Sequence, residues 1–327
     1  MNVAFVKQRD DLGDALERLL DNSEPRLRRA FLNAVQRMRD RATLEELAAL
    51  IAVGRIDEAV ELVVGLEEMG PLADEVQDAY IAAGRATAGW AGRAVALTIR
   101  FDFTNPRAQQ YLQDQGLRLV QQFTARQREA TQSAILDGIR RGLNPQDQAR
   151  AFRDVLGLTE RQVQAINNFR ELLETGNRDV LNRALRDRRF DRTVARAFDR
   201  GEPLTEGQIN TMVDRYRERY LRYRSETIAR TEALQAVSGG SDEMFQQAFD
   251  NGTLDPNDLE QVWRTAADER VRGSHSTMNG QVRAPGEPFL TGNGNDIRYP
   301  GDLDAPASER VNCRCVRTVR FRSDDDT

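Results

Sequence analysis

The sequence predicts a mainly α protein, with a long helical body followed by a small α+β C-terminal module. Three observations carry this. Apolar residues recur at three- and four-residue spacing through most of the first 238 positions. Asparagine, threonine and proline start signals punctuate those runs. After Gly240, glycine, proline, asparagine and aspartate become frequent and the helical period fades. A chain of 327 residues has room for two or three domains. The composition shifts put them at 1–103 (an N-terminal helical region), 104–240 (a helical body) and 241–327 (the module, ending in an acidic tail).

In chain order, the start MNVAFVKQRDD carries Lys7, Arg9, Asp10 and Asp11, which interrupt any signal-peptide core. Residues 43–63 form a helical hairpin by pattern: Leu44, Leu47 and Ile51 recur, Gly54 breaks the run, and Ile56, Val60 and Val63 resume it. The small residues of 82–96 suit a helix lying close against a neighbour. Asn105 and Pro106 open a helix reaching about 142, with Leu112, Leu119, Phe123, Ala130 and Ala134 on one face. Asn144–Pro145 repeats that start, and Thr159 caps a helix carrying Val163, Ile166, Phe169, Leu172 and Leu173. Thr205 and Gln208 form a capping-box pattern. The helix they open carries the stripe Ile209, Met212, Tyr216, Tyr220, Tyr223, Thr227 and Leu234, and Gly239–Gly240 is expected to end it. Beyond it, 260–265 reads as a strand, 268–278 as a short helix and 284–308 as loop. Residues 313–321 read as a second strand, with Cys313, Cys315, Val319 and Phe321 on one face.

Formal charge is −5, from 52 acidic and 47 basic residues, and 39% of residues are hydrophobic. This content supports packed cores and excludes both a disordered chain and a basic coat for nucleic acid. No uncharged run approaches membrane-spanning length, so a soluble, cytoplasmically made protein without a membrane partner is expected. Lys7 is the only lysine, and nearly all positive charge is arginine.

Three groupings could carry chemistry. The only histidine, His275, and the only cysteines, Cys313 and Cys315, fall in the last 53 residues. If 268–278 is one helix, Asp268 and His275 share a face, and a strand could bring both cysteines to it. Asp268, His275, Cys313 and Cys315 would then suit a tetrahedral structural zinc. The alternatives are a Cys–His nucleophile–base pair, oriented by Asp268 or Asn312, and buried core residues without metal. Second, residues 183–230 hold 13 arginines against 8 acids. Arg215, Arg219 and Arg222 are candidates for phosphate contacts to DNA, against a face laced with ion pairs such as Glu218–Arg222 and Glu226–Arg230. Third, Arg230 falls near the buried stripe and needs an anionic partner, with Glu226 and Glu232 nearest in sequence. No nucleotide loop, dinucleotide fingerprint or nucleophile elbow is present, so no organic cofactor is expected.

Three blocks in order, ETIARTEALQA at 226–236, VWRTAADERVRGSHSTMNGQV at 262–282 and ERVNCRC at 309–315, resemble the phage head morphogenesis proteins of the Mu F-like minor head family. Trp263, Asp268, Arg272, His275, Gly280 and Asn312–Cys315 carry the resemblance, which extends over roughly 104–321 and leaves the first 100 residues unexplained. It implies a minor structural protein of a tailed-phage head that acts during procapsid assembly. The location implied is the head interior or portal vertex, after assembly in the host cytoplasm. Portal and other head proteins would be its partners, and packaged double-stranded DNA a further contact. The resemblance implies no catalytic residue, so a non-enzyme is expected. The alternative is a C-terminal Cys/His enzyme or toxin-like effector. In the leading reading the His/Cys contact holds the module together for folding and docking.

Overall fold

The computed structural model describes residues 11–322. The N-terminal start read above as lacking a signal peptide lies almost wholly outside these residues, as does the acidic tail. The fold is mainly helical with a small C-terminal sheet, as the sequence predicts. Its helices are α1 (Asp11–Asp40), α2 (Leu44–Ala52), α3 (Ile56–Val63), α4 (Gly70–Val95), α5 (Pro106–Arg140), α6 (Pro145–Asp154), α7 (Glu160–Glu174), α8 (Asp191–Arg200) and α9 (Glu206–Asp250). The module follows with β1 (Leu259–Arg264), α10 (Gly273–Ser276), β2 (Val282–Arg283), β3 (Phe289–Leu290), β4 (Asp296–Ile297), α11 (Ala307–Arg310) and β5 (Val316–Phe321). No helix among the described residues is long and apolar enough to cross a membrane.

The start signals act as read. Thr43 and Glu46 close a capping box on α2, and Gly54 takes a left-handed turn (φ +76°) between α2 and α3. Asn144 caps α6, and the Thr159–Gln162 and Thr205–Gln208 pairs cap α7 and α9. Each such cap satisfies backbone N–H groups that the first helical turn leaves unpaired.

The residues form two compact units. One is drawn from Phe31–Gly70 and Arg118–Ser225. Its core gathers Ala130, Ala134, Val163, Ile166, Phe169, Leu173, Ile209, Met212, Val213 and Tyr216. Tyr216 stacks on Phe169 at 4.1 Å between ring centres, and Tyr220 meets Tyr216 edge-on. Tyr223, expected on the same stripe, is instead 48% exposed. The buried face of α5 also holds Gln127. Its side-chain oxygen accepts the Gly157 N–H at 2.7 Å and its amide donates to Val155 O, so the glutamine ties α5 to the turn after α6.

Among the described residues, the other unit is drawn from 11–30, from Pro71–Leu117 and from 226–322. Here α9 runs on through Gly239 and Gly240 to Asp250, contrary to the expected stop. The reason is close approach. A Cβ on Gly240 would lie 2.1 Å from the Tyr80 carbonyl oxygen, and one on Gly239 would lie 2.5 Å from the Tyr111 hydroxyl. The two glycines let α4 and α5 lie against α9. The cost of glycine in a helix, roughly 1 kcal/mol each, is offset by that contact. Tyr111 then donates to Gln235 O at 2.8 Å, and Thr87 of α4 donates to Ser241 of α9 at 3.0 Å.

The module's sheet has the order β2–β1–β5, all antiparallel, with Trp263 opposite Arg317 and Val262 opposite Thr318. A two-stranded pair, β3–β4, lies apart from it. Two local expectations change. Over 268–278 only Gly273–Ser276 is α-helical, because Asp268, after a left-handed Ala267 (φ +54°), turns back to accept the Arg270 N–H. The last strand begins at Val316, so both cysteines precede it, after a left-handed Asn312 (φ +58°). Arg317, in that strand, is buried because Asp242 (2.5 Å) and Gln261 (3.2 Å) accept from it.

The glycine contact in α9 is testable with two variants. Gly240→Ala should lower stability by about 2–3 kcal/mol through overpacking. Gly116→Ala, inside α5 with open space around it, should be neutral or stabilising by up to about 1 kcal/mol. Thermal and denaturant unfolding of both variants read the difference. Equal stabilities would contradict the close approach.

Candidate metal centre in the C-terminal module

His275, Cys313 and Cys315 come together in the core of the module. Their ligand atoms lie within 4.8 Å of one another, and each residue is at most 3% exposed. His275 Nδ1 is 3.5 Å from the Cys313 sulfur and 3.5 Å from the Cys315 sulfur. Around them pack Trp263, Met278, Phe289, Ile297 and Ala305. The Trp263 indole meets the imidazole edge-on at 5.4 Å.

The local chain explains the placement. Short helix α10 carries His275, and Arg272 just before it donates to the carbonyls of Ser308 and Val311. That clamp joins the His275 segment to the segment leading into the cysteines. On the other side, α9 holds Asn312: Thr231 Oγ1 accepts its N–H at 2.9 Å, and Arg230 donates to its side-chain oxygen at 2.8 Å. Arg230 also faces Glu24 at 3.6 Å. Its partners thus include Asn312 and Glu24, both far from it in sequence. The three sequence blocks at 226–236, 262–282 and 309–315 thus meet around one cluster.

Behind the imidazole lies Glu309, a carboxylate with 1% exposure. Its Oε2 is 3.1 Å from His275 Nε2, in a contact bent away from linear hydrogen-bond geometry. Ser274 donates to Oε2 at 2.7 Å, and Asn293 and Asn295 donate to Oε1 at 2.9 and 3.3 Å. Burial disfavours the carboxylate, but these donors and His275 outweigh it and lower its pKa. An ionised Glu309 makes Nε2 the protonated nitrogen and leaves the Nδ1 lone pair facing the two sulfurs. Glu309, Asn293 and Asn295 were missed by sequence reading. The asparagines sit in GNGND, which reads as a plain turn. Glu309 does fall in the ERVNCRC block, where it is the only carboxylate.

The thiols share one charge. Cys313 has its pKa lowered because the Cys315 thiol donates to it, with the Cys315 backbone N–H (3.4 Å) adding to the effect against burial. Cys315 is raised, first by donating to Cys313 and then by burial. Arg272 and the Trp263 indole act on Cys315 in the opposite sense, favouring its thiolate.

Asp268 is not brought to this cluster. Without the long helix, it faces Arg314, which donates to it at 2.6 Å. That hydrogen bond holds the Asp268 carboxyl well below the usual carboxylate range. Arg314 lies between the two cysteines in sequence, so its pairing with Asp268 braces the Cys-Arg-Cys segment.

The arginine face is largely engaged in protein contacts. Arg215 donates to Glu218 at 2.7 Å. Arg219 donates to the Arg186 carbonyl at 2.6 Å and faces Asp187 at 3.3 Å. Arg222 is exposed.

Comparison with known proteins gives one match. Residues 188–318 match the family model described as Phage Mu protein F like protein, so this stretch, which holds the whole His/Cys/Glu cluster, is Mu F-like. No curated protein and no solved structure matches the chain.

Burial of the thiols has a direct consequence. In the folded protein at neutral pH, neither cysteine should react rapidly with iodoacetamide, and both should react after unfolding. Fast labelling of one thiol in the native state would contradict the buried arrangement and favour a nucleophilic cysteine. Glu309→Ala should cost about 3 kcal/mol in denaturant unfolding, because it strands the Ser274 and Asn293 donors and the buried imidazole.

Proposed function

We propose that this chain, Mu F-like over residues 188–318, is a minor structural component of a tailed-phage head. It acts in head assembly at or near the portal. The family match carries the reading, and the structure is compatible with it in two respects. The Mu F-like stretch ends in a compact module whose chemistry-bearing side chains are buried, which suits a folded docking element. The helical body exposes polar and charged faces together with scattered apolar side chains such as Leu117, Leu136 and Ile139, which suits contacts with other head proteins.

DNA contact is a weaker part of this reading. Arg215 and Arg219 are paired within the protein, so of the three candidates Arg222 alone stands exposed without such a contact to give up. The effector alternative needs an accessible nucleophile, and the near-complete burial of Cys313 and Cys315 disfavours it.

Quantitative mass spectrometry of gradient-purified procapsids and heads tests the proposal. A small, reproducible number of copies relative to the major capsid protein is expected in one or both particles. Absence from both would overturn a structural role in the head.

A further inference from the structure

We infer that His275, Cys313 and Cys315 bind one zinc-class transition-metal ion, through Nδ1 and the two sulfurs, with Glu309 as the outer carboxylate that orients the imidazole.

Geometry is the first support. Metal bonds of about 2.3 Å to sulfur and about 2.0 Å to nitrogen, set at a tetrahedral angle, place the two donor atoms about 3.5 Å apart. Both sulfurs lie at 3.5 Å from Nδ1. The same separation is long for a strong hydrogen bond, and one Nδ1 cannot serve two thiols equally as a sole partner. A shared ion satisfies all three donors at once.

Second, the hydrogen-bond environment suits a metal ligand. Glu309 sits behind Nε2, the arrangement in which a carboxylate fixes a ligating histidine and raises its basicity. Three further donors hold the carboxylate in place, from Ser274, Asn293 and Asn295.

Third, buried N–H groups converge on the sulfurs. The Trp263 indole N–H is buried beside the cluster and makes no hydrogen bond of regular geometry. The Cys315 backbone N–H points to the Cys313 sulfur. Two thiolates balance a divalent ion, and the Arg314 charge beside them is matched by Asp268.

The chain supplies three ligands, so the fourth position takes a light donor from solvent. Asp268 is not a ligand, since Arg314 holds it. Binding displaces the remaining thiol proton, and because the ligands come from segments far apart in sequence, the ion stabilises the folded module.

The test uses the full chain purified without chelator from zinc-replete cells. Elemental analysis should find about one zinc per chain, as expected for a single Cys2His site. X-ray absorption should report two sulfur and two lighter donors. Cobalt substituted for zinc should show thiolate-to-metal charge transfer and tetrahedral visible bands. Chelation should lower the melting temperature, and added zinc should restore it. Asp268→Asn should keep the ion, whereas Glu309→Gln should bind it about 10–100-fold more weakly. The His275→Ala and Cys313→Ser variants should lose it, but the wild-type and Glu309→Gln results stand even if these fail to fold. A folded wild-type chain that stays metal-free after zinc reconstitution, or a folded Cys313→Ser/Cys315→Ser chain that retains its zinc, would overturn the site. Both outcomes leave the head-protein reading to be judged separately by its particle composition.

Discussion

The C-terminal module depends on one buried contact, the His275 imidazole held between the Glu309 carboxylate and the sulfurs of Cys313 and Cys315. A carboxylate with almost no exposure is tolerated only where donors replace its water. Here they come from α10, from the loop before β4 and from the imidazole itself. Each donor fixes one segment of a region that is otherwise poor in regular structure. β2, β3 and β4 are two residues long, and α10 and α11 are four. Elements so short have little stability of their own. A buried polar centre and the Trp263–Phe289 packing around it supply what the short ladders do not.

The same constraint accounts for the arginines around the cluster. Arg272 joins the His275 segment to the chain before Asn312, Arg230 reaches Asn312 from α9, and Arg314 pairs with Asp268. A guanidinium offers several donors in a fixed fork, so each can bridge carbonyls or carboxylates from different segments. The Mu F-like match over 188–318 takes in all of these except Glu24, the acidic partner of Arg230.

Much of the helical body was legible because its signals are local. Thr43, Asn144, Thr159 and Thr205 cap helices as their spacing suggests, since a cap needs only its own first turn. Gly239–Gly240 misled for the opposite reason. A glycine pair is a stop by local rules, and only the approach of Tyr80 and Tyr111 from other helices makes it a contact point. Tyr223 shared the spacing of the buried tyrosines yet stays half exposed, because the period gives a face without saying how far a neighbour extends along it. In the module, the rarity of histidine and cysteine made the cluster visible. Asp268 was placed with it by assuming a helix over 268–278, whose first residues form a turn instead. Glu309 went unseen because nothing in its spacing from His275 marks it, and its role comes from the fold of the loop between them.

The presence of a single histidine makes the central contact directly observable. Nitrogen-15 NMR of histidine-labelled full-length protein reports one imidazole, and its couplings show which ring nitrogen carries the proton. If Glu309 fixes the ring and Nδ1 faces the sulfurs as a lone-pair donor, the proton is on Nε2 and Nδ1 carries none. A proton on Nδ1, in the other tautomer or in the imidazolium, would contradict the account.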